Sequence, residues 1–259
     1  MKSAGHEVGG VWYPRVTKIL EVKSKPALDI FFKEMGSYEA AEAVKMKSAA
    51  EGTKVHEVIQ ALAVGKDIEI TSDLKPVGEA FLEFNKTANI VFHPEFIECP
   101  IWSAMHRYSG TIDAIATIGG KFGVLDIKTS TGFYPEYNLQ TAAYVLALQE
   151  PGIKKALSLP GEIQTRWILR VDQAKTCMRC GASLREKGGR NKVRTAKTGV
   201  ENMEEACGNS HEDHYWGPAK GLIEIREFPY YIRDMKAFLA AKILWEWEND
   251  YWLRRIGYL

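Results

Sequence analysis

Residues 110–128 decide the fold, and they read Gly-Thr-Ile-Asp-Ala-Ile-Ala-Thr-Ile-Gly-Gly-Lys-Phe-Gly-Val-Leu-Asp-Ile-Lys. Positions 107–118 and 121–129 are rich in β-branched, aromatic and other apolar residues, as expected of two strands that pack against a core. Between them, Gly119-Gly120 is typical of a two-residue hairpin turn, in which both positions take a positive φ. The stretch therefore predicts two antiparallel strands joined by a tight turn.

This hairpin would bring two acidic side chains together. A turn at 119–120 places Asp113 roughly opposite Asp126, and the Cβ atoms of cross-strand neighbours lie ~4.5–5.5 Å apart. Two carboxylates at that distance repel each other unless a cation lies between them. Lys128 shares a strand face with Asp126, because side chains two residues apart point the same way. Such a group suits hydrolysis of a phosphodiester assisted by Mg²⁺ or Mn²⁺, although a surface hairpin with a salt bridge would carry the same residues.

Further regular elements are predicted on both sides of the hairpin. Upstream of it we expect helices over 26–35, 37–63 and 75–89, the second either continuous or broken at Gly52, and then a strand over 90–103. Downstream of it we expect a helix over 135–149, strands over 163–171 and 222–228, and a closing helix over 230–252. This order predicts an α/β fold with four regions: an N-terminal helical region (1–89), a core (90–171), an insertion (172–217) and a final strand and helix (218–259).

Composition excludes several classes of protein. The chain has 259 residues and a formal net charge of +1, which fits one large domain or one domain with an insertion, and which neither demands nor excludes a nucleic-acid partner. No apolar run approaches the ~18–20 residues that span a bilayer, and the first residues contain no secretory signal. We therefore expect a cytoplasmic protein with no membrane partner.

The insertion carries three of the four cysteines. Cys177-x-x-Cys180 is followed by Cys207 and His211, a pattern typical of a structural zinc site, with His214 as a rival fourth ligand and unligated loop cysteines as the alternative. Residues 175–200 hold eight Lys or Arg against one acid, so they form either an arm that contacts phosphates or a solvated loop that the acids of 201–214 balance.

Two further motifs complete a recognisable set. Gly52-x-x-x-His56 lies upstream of the hairpin, and Gln140-x-x-x-Tyr144 lies downstream on one helix face. Together with Gly110-x-x-Asp113 and Asp126-x-Lys128, in this order and spacing, they resemble the RecB-type branch of the PD-(D/E)XK nuclease superfamily. The similarity is greatest to phage-type and mitochondrial genome-maintenance exonucleases, and it covers roughly residues 11–150.

The resemblance implies a fold, an activity and a site. The fold would be a restriction-endonuclease-like mixed β-sheet core flanked by helices. The activity would be that of a metal-dependent deoxyribonuclease, bacterial or phage-encoded, acting as an exonuclease on single-stranded DNA ends in replication, recombination or repair. The metal ligands would be His56, Asp113, Asp126 and the carbonyl of Ile127. Lys128 would be the catalytic lysine.

Other positions receive supporting roles from the same resemblance. Gln140 and Tyr144 would position the substrate strand or the lysine. Glu98 matches a glutamate on the preceding strand, and Thr129 and Ser130 could donate hydrogen bonds to a phosphate. The N-terminal helices would roof the site, and they offer these aromatic residues and lysines to a threaded strand: Trp12, Tyr13, Phe31, Phe32, Tyr38, Lys18, Lys23, Lys25, Lys33, Lys45, Lys47 and Lys54.

Two alternatives stay open beside this one. Some RecB-type relatives, including nucleases of CRISPR adaptation, hold a 4Fe-4S cluster, but their cysteine pattern differs, because here Cys99 follows His56 and Cys207 is far from Cys180. The pattern therefore favours zinc. The other alternative is an inert nucleic-acid-binding module, which the presence of both acids and Lys128 disfavours. The chain has no P-loop motif, so any unwinding would need a separate helicase, recombinase or single-strand-binding partner.

Overall fold

The computed structural model describes residues 4–24, 26–195, 207–208 and 210–259, and they form a mixed α/β fold. The strands are β1 (Gly5–Val8), β2 (Val11–Pro14), β3 (Val91–Phe92), β4 (Cys99–Ser103), β5 (Tyr108–Ile112), β6 (Ala114–Ile118), β7 (Lys121–Lys128), β8 (Thr165–Thr176), β9 (Ser183–Lys187), β10 (Arg190–Arg194) and β11 (Lys220–Glu227). The helices are α1 (Val16–Ile19), α2 (Pro26–Glu34), α3 (Tyr38–Ala63), α4 (Lys75–Ala88), α5 (Pro135–Leu148), α6 (Pro151–Ala156), α7 (Ile232–Glu248) and α8 (Asp250–Arg255). None of the helices in these ranges is both long and apolar enough to cross a membrane.

The largest sheet is mixed, with the order β10-β9-β8-β7-β6-β3 and with β11 also paired to β8. β6 and β7 form the predicted hairpin, whose turn residues Gly119 and Gly120 have φ of 57° and 79°. Ala114 pairs with Leu125, which is the register that the two-residue turn predicted. β7 then runs parallel to β8, and α5 and α6 form the crossover between these two strands.

The chain bends at Asp113, so the single strand expected over 107–118 is two strands. On one side of the bend Ile112 pairs with Cys99 in the separate β4–β5 sheet, and on the other side β6 pairs with β7 in the main sheet. The strand expected over 90–103 is divided as well, into β3 and β4. Passing from one sheet to the other leaves Asp113 outside both ladders, beside the end of β7.

Two helical layers enclose the main sheet, because successive side chains of β6 and β7 point to opposite faces. Ala114 and Leu125 pack with residues of α3 and α4, whereas Ile115 and Val124 pack with residues of α5 and α7. Helices α3 and α4 of the N-terminal region therefore share a core with the strands. Helix α3 is continuous through Gly52, whereas the closing helix is interrupted at Asn249.

The insertion leaves and re-enters the sheet between β8 and β11, which pair directly along Trp167–Ala174 and Lys220–Glu227. β8 is longer than expected and reaches Thr176. The insertion itself contains the hairpin β9–β10, for which the sequence shows no clear period, with a turn at Gly188-Gly189. Residues 196–206, including the end of the basic run and the start of the acidic run, lie outside the described residues, as does Lys25.

Candidate functional site

The end of β7 supplies a buried ion pair. Asp126 is only 1% exposed, and its Oδ2 lies 2.7 Å from Nζ of Lys128 on the same strand face. The ammonium of Lys128 also lies 5.1 Å from the ring centroid of Tyr137, near the start of α5. A lysine held between a carboxylate and an aromatic ring has a fixed position, which suits a group that must meet a substrate in one orientation.

Asp113 joins this pair through the bend between β5 and β6. Its Oδ2 accepts a hydrogen bond of 2.6 Å from the backbone N–H of Ile127, which lies between Asp126 and Lys128. Asp113 therefore lies close to Asp126, as predicted. The hydrogen bond from the Ile127 backbone to the Asp113 carboxylate holds it there, and not a cross-strand pairing. The role of the Ile127 carbonyl as a ligand stays a prediction.

His56 and Glu98 complete a group of possible metal ligands around Asp113. Nδ1 of His56, on α3, lies 3.7 Å from Oδ1 of Asp113. Glu98 has a left-handed backbone (φ of 50°), and its N–H donates to the carbonyl of Asp113 at 3.2 Å. One ligand atom from each of the three residues lies within 4.8 Å of the others, and this set could hold a metal ion.

Supporting hydrogen bonds fix the acids. The amide of Gln140 donates to Oδ1 of Asp126 at 3.2 Å and to the hydroxyl of Tyr144 at 2.8 Å. Gln140 thus contacts the acid directly and Tyr144 is buried. Their role in positioning the substrate strand or the lysine stays a prediction. Gln60, one turn after His56 on α3, donates to Oε1 of Glu98. The contact of Gln60 with Glu98 was not predicted from the sequence, although Gln60 lies four residues after His56 and so on the same helix face.

Burial changes the pKa values of the ionisable groups at this site. Burial raises the pKa of Asp113 to about 6, against the opposing effect of Lys128. Burial also raises the pKa of Asp126 to about 6, and the neighbouring Asp113 adds to that rise. Burial, and then Lys128, lower the pKa of His56, which favours the neutral imidazole that binds metals. A bound divalent cation would stabilise both carboxylates and accept the imidazole.

The loop after β7 contacts α3 at Gly52. A Cβ placed on Gly52 would lie 2.9 Å from Oγ1 of Thr129, so the glycine permits the close approach of this side chain to the helix. The hydroxyl of Ser130 donates to the carbonyl of Gly132 at 2.7 Å, so in this arrangement its hydrogen is not free for a phosphate. Thr129 keeps that predicted role.

Strand β9 of the insertion also reaches this loop, which the sequence analysis missed. Nη2 of Arg185 donates to the carbonyl of Thr129 at 3.1 Å, and Nζ of Lys187 donates to the same carbonyl. The guanidinium of Arg185 is itself held by Asp172 on β8. Arg185 and Lys187 are two residues apart, so they share a face if 183–187 is a strand. The sequence did not predict that strand, and the contact was therefore not expected.

Several residues offered to a threaded strand are engaged elsewhere. Tyr13 is buried, and Trp12 packs edge-on against Tyr258. Ion pairs with acids hold the following lysines: Lys18, Lys23 and Lys45. Phe32 and Tyr38 do stack on each other at 5.7 Å, and Tyr38 is 69% exposed.

The insertion holds a second ligand group, made of Cys177, Cys180, Cys207 and His214. The sulfurs of Cys177 and Cys207 lie 3.9 Å apart, and Sγ of Cys180 lies 3.3 Å from Nδ1 of His214. A tetrahedral zinc with Zn–S bonds of ~2.3 Å and Zn–N bonds of ~2.0 Å requires separations of ~3.8 and ~3.5 Å. The donor set and its spacing therefore fit a metal.

The fourth member of this group is His214 and not His211. The backbone of residues 215–217 pairs with that of 176–178, through Met178 N to Tyr215 O at 2.8 Å and Gly217 N to Thr176 O at 2.9 Å. This pairing carries the preceding residue, His214, to the cysteines. His211 lies in a short 3₁₀ turn and is exposed. Of the two histidines that the sequence left as rivals, the structure therefore brings His214 and not the preferred His211 to the cysteines.

The surroundings of Cys177 lower the pKa of its thiol. Burial raises the pKa of the Cys177 thiol, but the backbone N–H groups of Cys180 and Arg179, together with His214, outweigh that effect and lower the pKa to about 6. A thiolate is thus stabilised near neutral pH, as a soft metal requires. Cys99, by contrast, is a buried free thiol in β4, apart from this group.

No protein-family model matches the chain, and no curated protein matches it in sequence. Its function is therefore inferred from the residues and geometry of these two sites.

Proposed function

We propose that the protein is a metal-dependent deoxyribonuclease of the RecB-type PD-(D/E)XK class. The observation that carries the proposal is the buried Asp126–Lys128 pair, with Asp113 hydrogen-bonded to the intervening Ile127 and with His56 and Glu98 beside it. A structural salt bridge needs one acid and one base. Two acids with raised pKa values, a histidine with a lowered pKa and a glutamate around one lysine instead form a group that a divalent cation would stabilise.

The topology supports a restriction-endonuclease-like core. The antiparallel hairpin β6–β7, the helical crossover through α5 and the parallel strand β8 stand in sequence order, and the acids lie where β6 begins and β7 ends. Helix α3 brings His56 from the opposite layer. This arrangement carries all four motifs to one place, as that superfamily requires.

The metal-binding residues would be His56, Asp113 and Glu98, with Asp126 adjacent. The carboxylate donors of this group suit Mg²⁺ or Mn²⁺. When bound, such an ion supplies charge that stabilises a phosphate and lowers the pKa of water. Glu98 thus moves from a supporting role to a ligand role in this proposal.

The chain's own residues would do the remaining work. Burial lowers the pKa of Lys128, but Asp126 and Asp113 outweigh burial and raise it. The ammonium therefore stays charged and can stabilise the negative charge that develops on the scissile phosphate. Asp126 orients that ammonium at 2.7 Å, and Gln140 orients Asp126. Tyr144 fixes Gln140 from the core.

The proposed substrate is single-stranded DNA with a free end. Helix α3 carries both His56 and the exposed Lys54, and the stacked Phe32 and Tyr38 lie on α2 and at the start of α3. Aromatic faces and lysines without groove-reading elements are the features of sequence-independent single-strand binding. Exonuclease action would follow if the strand enters by its end.

For the second site we propose a structural zinc. Four protein ligands, three thiolates and one imidazole, leave no open position, which is the pattern of structural rather than catalytic zinc. The site lies where β8 passes into the insertion, so the metal would hold the base of the β9–β10 hairpin, whose Arg185 and Lys187 contact Thr129.

The test is a cleavage assay on end-labelled single-stranded and double-stranded DNA with Mg²⁺, Mn²⁺ or EDTA. We expect metal-dependent degradation of the single strand to short products and no cleavage in EDTA. A covalently closed single-stranded circle should resist. Lys128→Met should be inactive, whereas Glu57→Gln, an exposed change beside His56, should keep wild-type turnover.

Three results would contradict the proposal. Cleavage of the circle as fast as the linear strand would exclude the exonuclease assignment. Binding of DNA without cleavage under any metal would favour an inert binding module. Cleavage that persists in EDTA would exclude the metal-dependent site.

A further inference from the structure

A cavity of about 420 Å³ lies beside the proposed catalytic site. The β9–β10 hairpin forms one wall, and α3, the start of α4 and β8 form the others. Its lining includes Thr129, the residue that follows Lys128, and Val55, the residue that precedes His56. Two residues of the cavity lining are therefore next in sequence to residues of the proposed catalytic site.

Lysines converge on this cavity from opposite walls. Lys47 and Lys54 come from α3, and Lys187 comes from β9. A Cβ placed on Gly189, at the tip of the hairpin, would lie 3.3 Å from Nζ of Lys47, so that ammonium lies against the hairpin. Three lysines thus line one cavity.

Four acids also line this cavity. One of them, Asp73, makes no ion pair within the described residues, and the other three are engaged. Glu186 pairs with Lys175 at 2.6 Å, Asp172 pairs with Arg185 at 2.8 Å, and Glu51 accepts a hydrogen bond from Gly188 N at 2.8 Å.

The lysines, by contrast, make no ion pair with these acids, although Asp172 and Glu51 lie close enough to act on the charge of Lys187. Within the described residues Lys47 and Lys54 make no ion pair, and Nζ of Lys187 donates to a neutral carbonyl. Burial, and then the neighbouring Arg185, lower the pKa of Lys187 to about 8. Two lysines of the lining, Lys47 and Lys54, are therefore without an ion pair in the described part of the chain, in a cavity that also contains acids.

We propose that this cavity binds a phosphate group of the same single-stranded DNA, next along the strand to the phosphate that is cut. The inference rests on the proposed nuclease function, which supplies the strand. Lysine ammonium groups are common ligands of backbone phosphates, and a phosphate contact positions a strand without reading its sequence. The hairpin of the insertion would thus be part of the substrate-binding surface.

The test measures DNA binding without cleavage. A fluorescent single-stranded oligonucleotide is titrated in EDTA against wild type, Lys47→Gln and Lys187→Gln, with Lys236→Gln on α7 as the matched control. We expect each cavity variant to weaken binding ~10-fold, the effect of removing one charged hydrogen bond. The slope of log affinity against log salt should fall by ~0.7 for each phosphate that no longer meets a lysine. Lys236→Gln should match wild type.

The variant Lys47→Gln guards against loss of structure, because Lys47 has no partner in the described residues, whereas Lys187 also holds Thr129. Wild-type affinity and salt slope in both variants would overturn the proposal. A free nucleotide, deoxythymidine monophosphate, provides a second arm. If it binds in a Lys47-dependent manner while oligonucleotide binding is unchanged, the cavity takes free nucleotides and the strand proposal is wrong.

The result is separate from the nuclease assay. Lysine-dependent binding by a wild-type protein that never cuts DNA would leave the phosphate site standing and remove the proposed function. Metal-dependent cutting with unchanged binding in both variants would do the reverse.

Discussion

The two ligand groups of this protein differ in chemistry and in how the chain builds them. The group around Asp113 has oxygen and imidazole donors from distant elements, α3, the bend after β5 and the segment before β4. The group around Cys177 has three sulfurs and one imidazole, all within the insertion. Hard donors select magnesium or manganese, and soft donors select zinc.

The two groups differ in what holds their side chains in position. The carboxylate group is positioned by the sheet register and by hydrogen bonds from Ile127 and Gln140, so the fold holds it without an ion. The cysteine group lies on a segment with little core of its own, so a metal would supply much of its local order. The first site should therefore lose chemistry when altered, and the second should lose structure.

The largest expected effect is on catalysis. Asp126→Asn keeps the size of the side chain but removes the charge that orients Lys128 and helps to hold a cation. Turnover should fall at least ~10²–10³-fold. The measurement is the initial rate on end-labelled single-stranded DNA, with circular dichroism to confirm folding. Full activity in Asp126→Asn would show that the pair is only a salt bridge, and the contrast between the sites would disappear.

The next effect separates the two histidines of the insertion. His214→Ala should reduce the zinc content of the purified protein from about one ion per chain and should expose residues 172–217 to protease. His211→Ala is the matched control, and it should keep its zinc because His211 faces outward. Zinc content by mass spectrometry checks both. Equal loss in the two variants would contradict the geometry, and a brown protein with labile sulfide would identify an iron–sulfur cluster instead.

The smallest effect concerns the contact between α3 and the loop after β7. Gly52→Ala should favour the helix by up to ~1 kcal/mol, since glycine is a poor helix former. The added Cβ lies 2.9 Å from Oγ1 of Thr129, so the loop must shift, and we expect a several-fold loss of turnover without a lower melting temperature. The double variant with Thr129→Ala should recover part of the rate if the clash is the cause. Unchanged turnover in Gly52→Ala would show that the loop position does not matter.

Local chemistry explains what the sequence predicted well. The Gly119-Gly120 turn determined the β6–β7 register, and that register placed Asp113 near Asp126 before any tertiary contact was known. The Cys177-x-x-Cys180 turn predicted a metal ligand pair for the same reason. Both depend on a few adjacent residues, whose backbone preferences are strong.

Tertiary contacts explain what the sequence did not predict. The bend at Asp113 arises because β5 pairs with β4 while β6 pairs with β7. The sequence around position 113 contains no glycine or proline after residue 110 that would have predicted this change of sheet. The choice of His214 depends on the pairing of residues 215–217 with β8. The reach of Lys187 to Thr129 depends on a hairpin without a clear alternating pattern.

The most direct test of the central claim is a crystal grown with Mn²⁺, with anomalous diffraction recorded on both sides of the manganese and zinc absorption edges. We predict two separate peaks in the anomalous difference map. Manganese should lie among His56, Glu98, Asp113 and Asp126, and zinc among Cys177, Cys180, Cys207 and His214. A manganese peak that is absent from the carboxylate group, in crystals that contain manganese elsewhere, would contradict the proposal that these residues form a metal-dependent nuclease site.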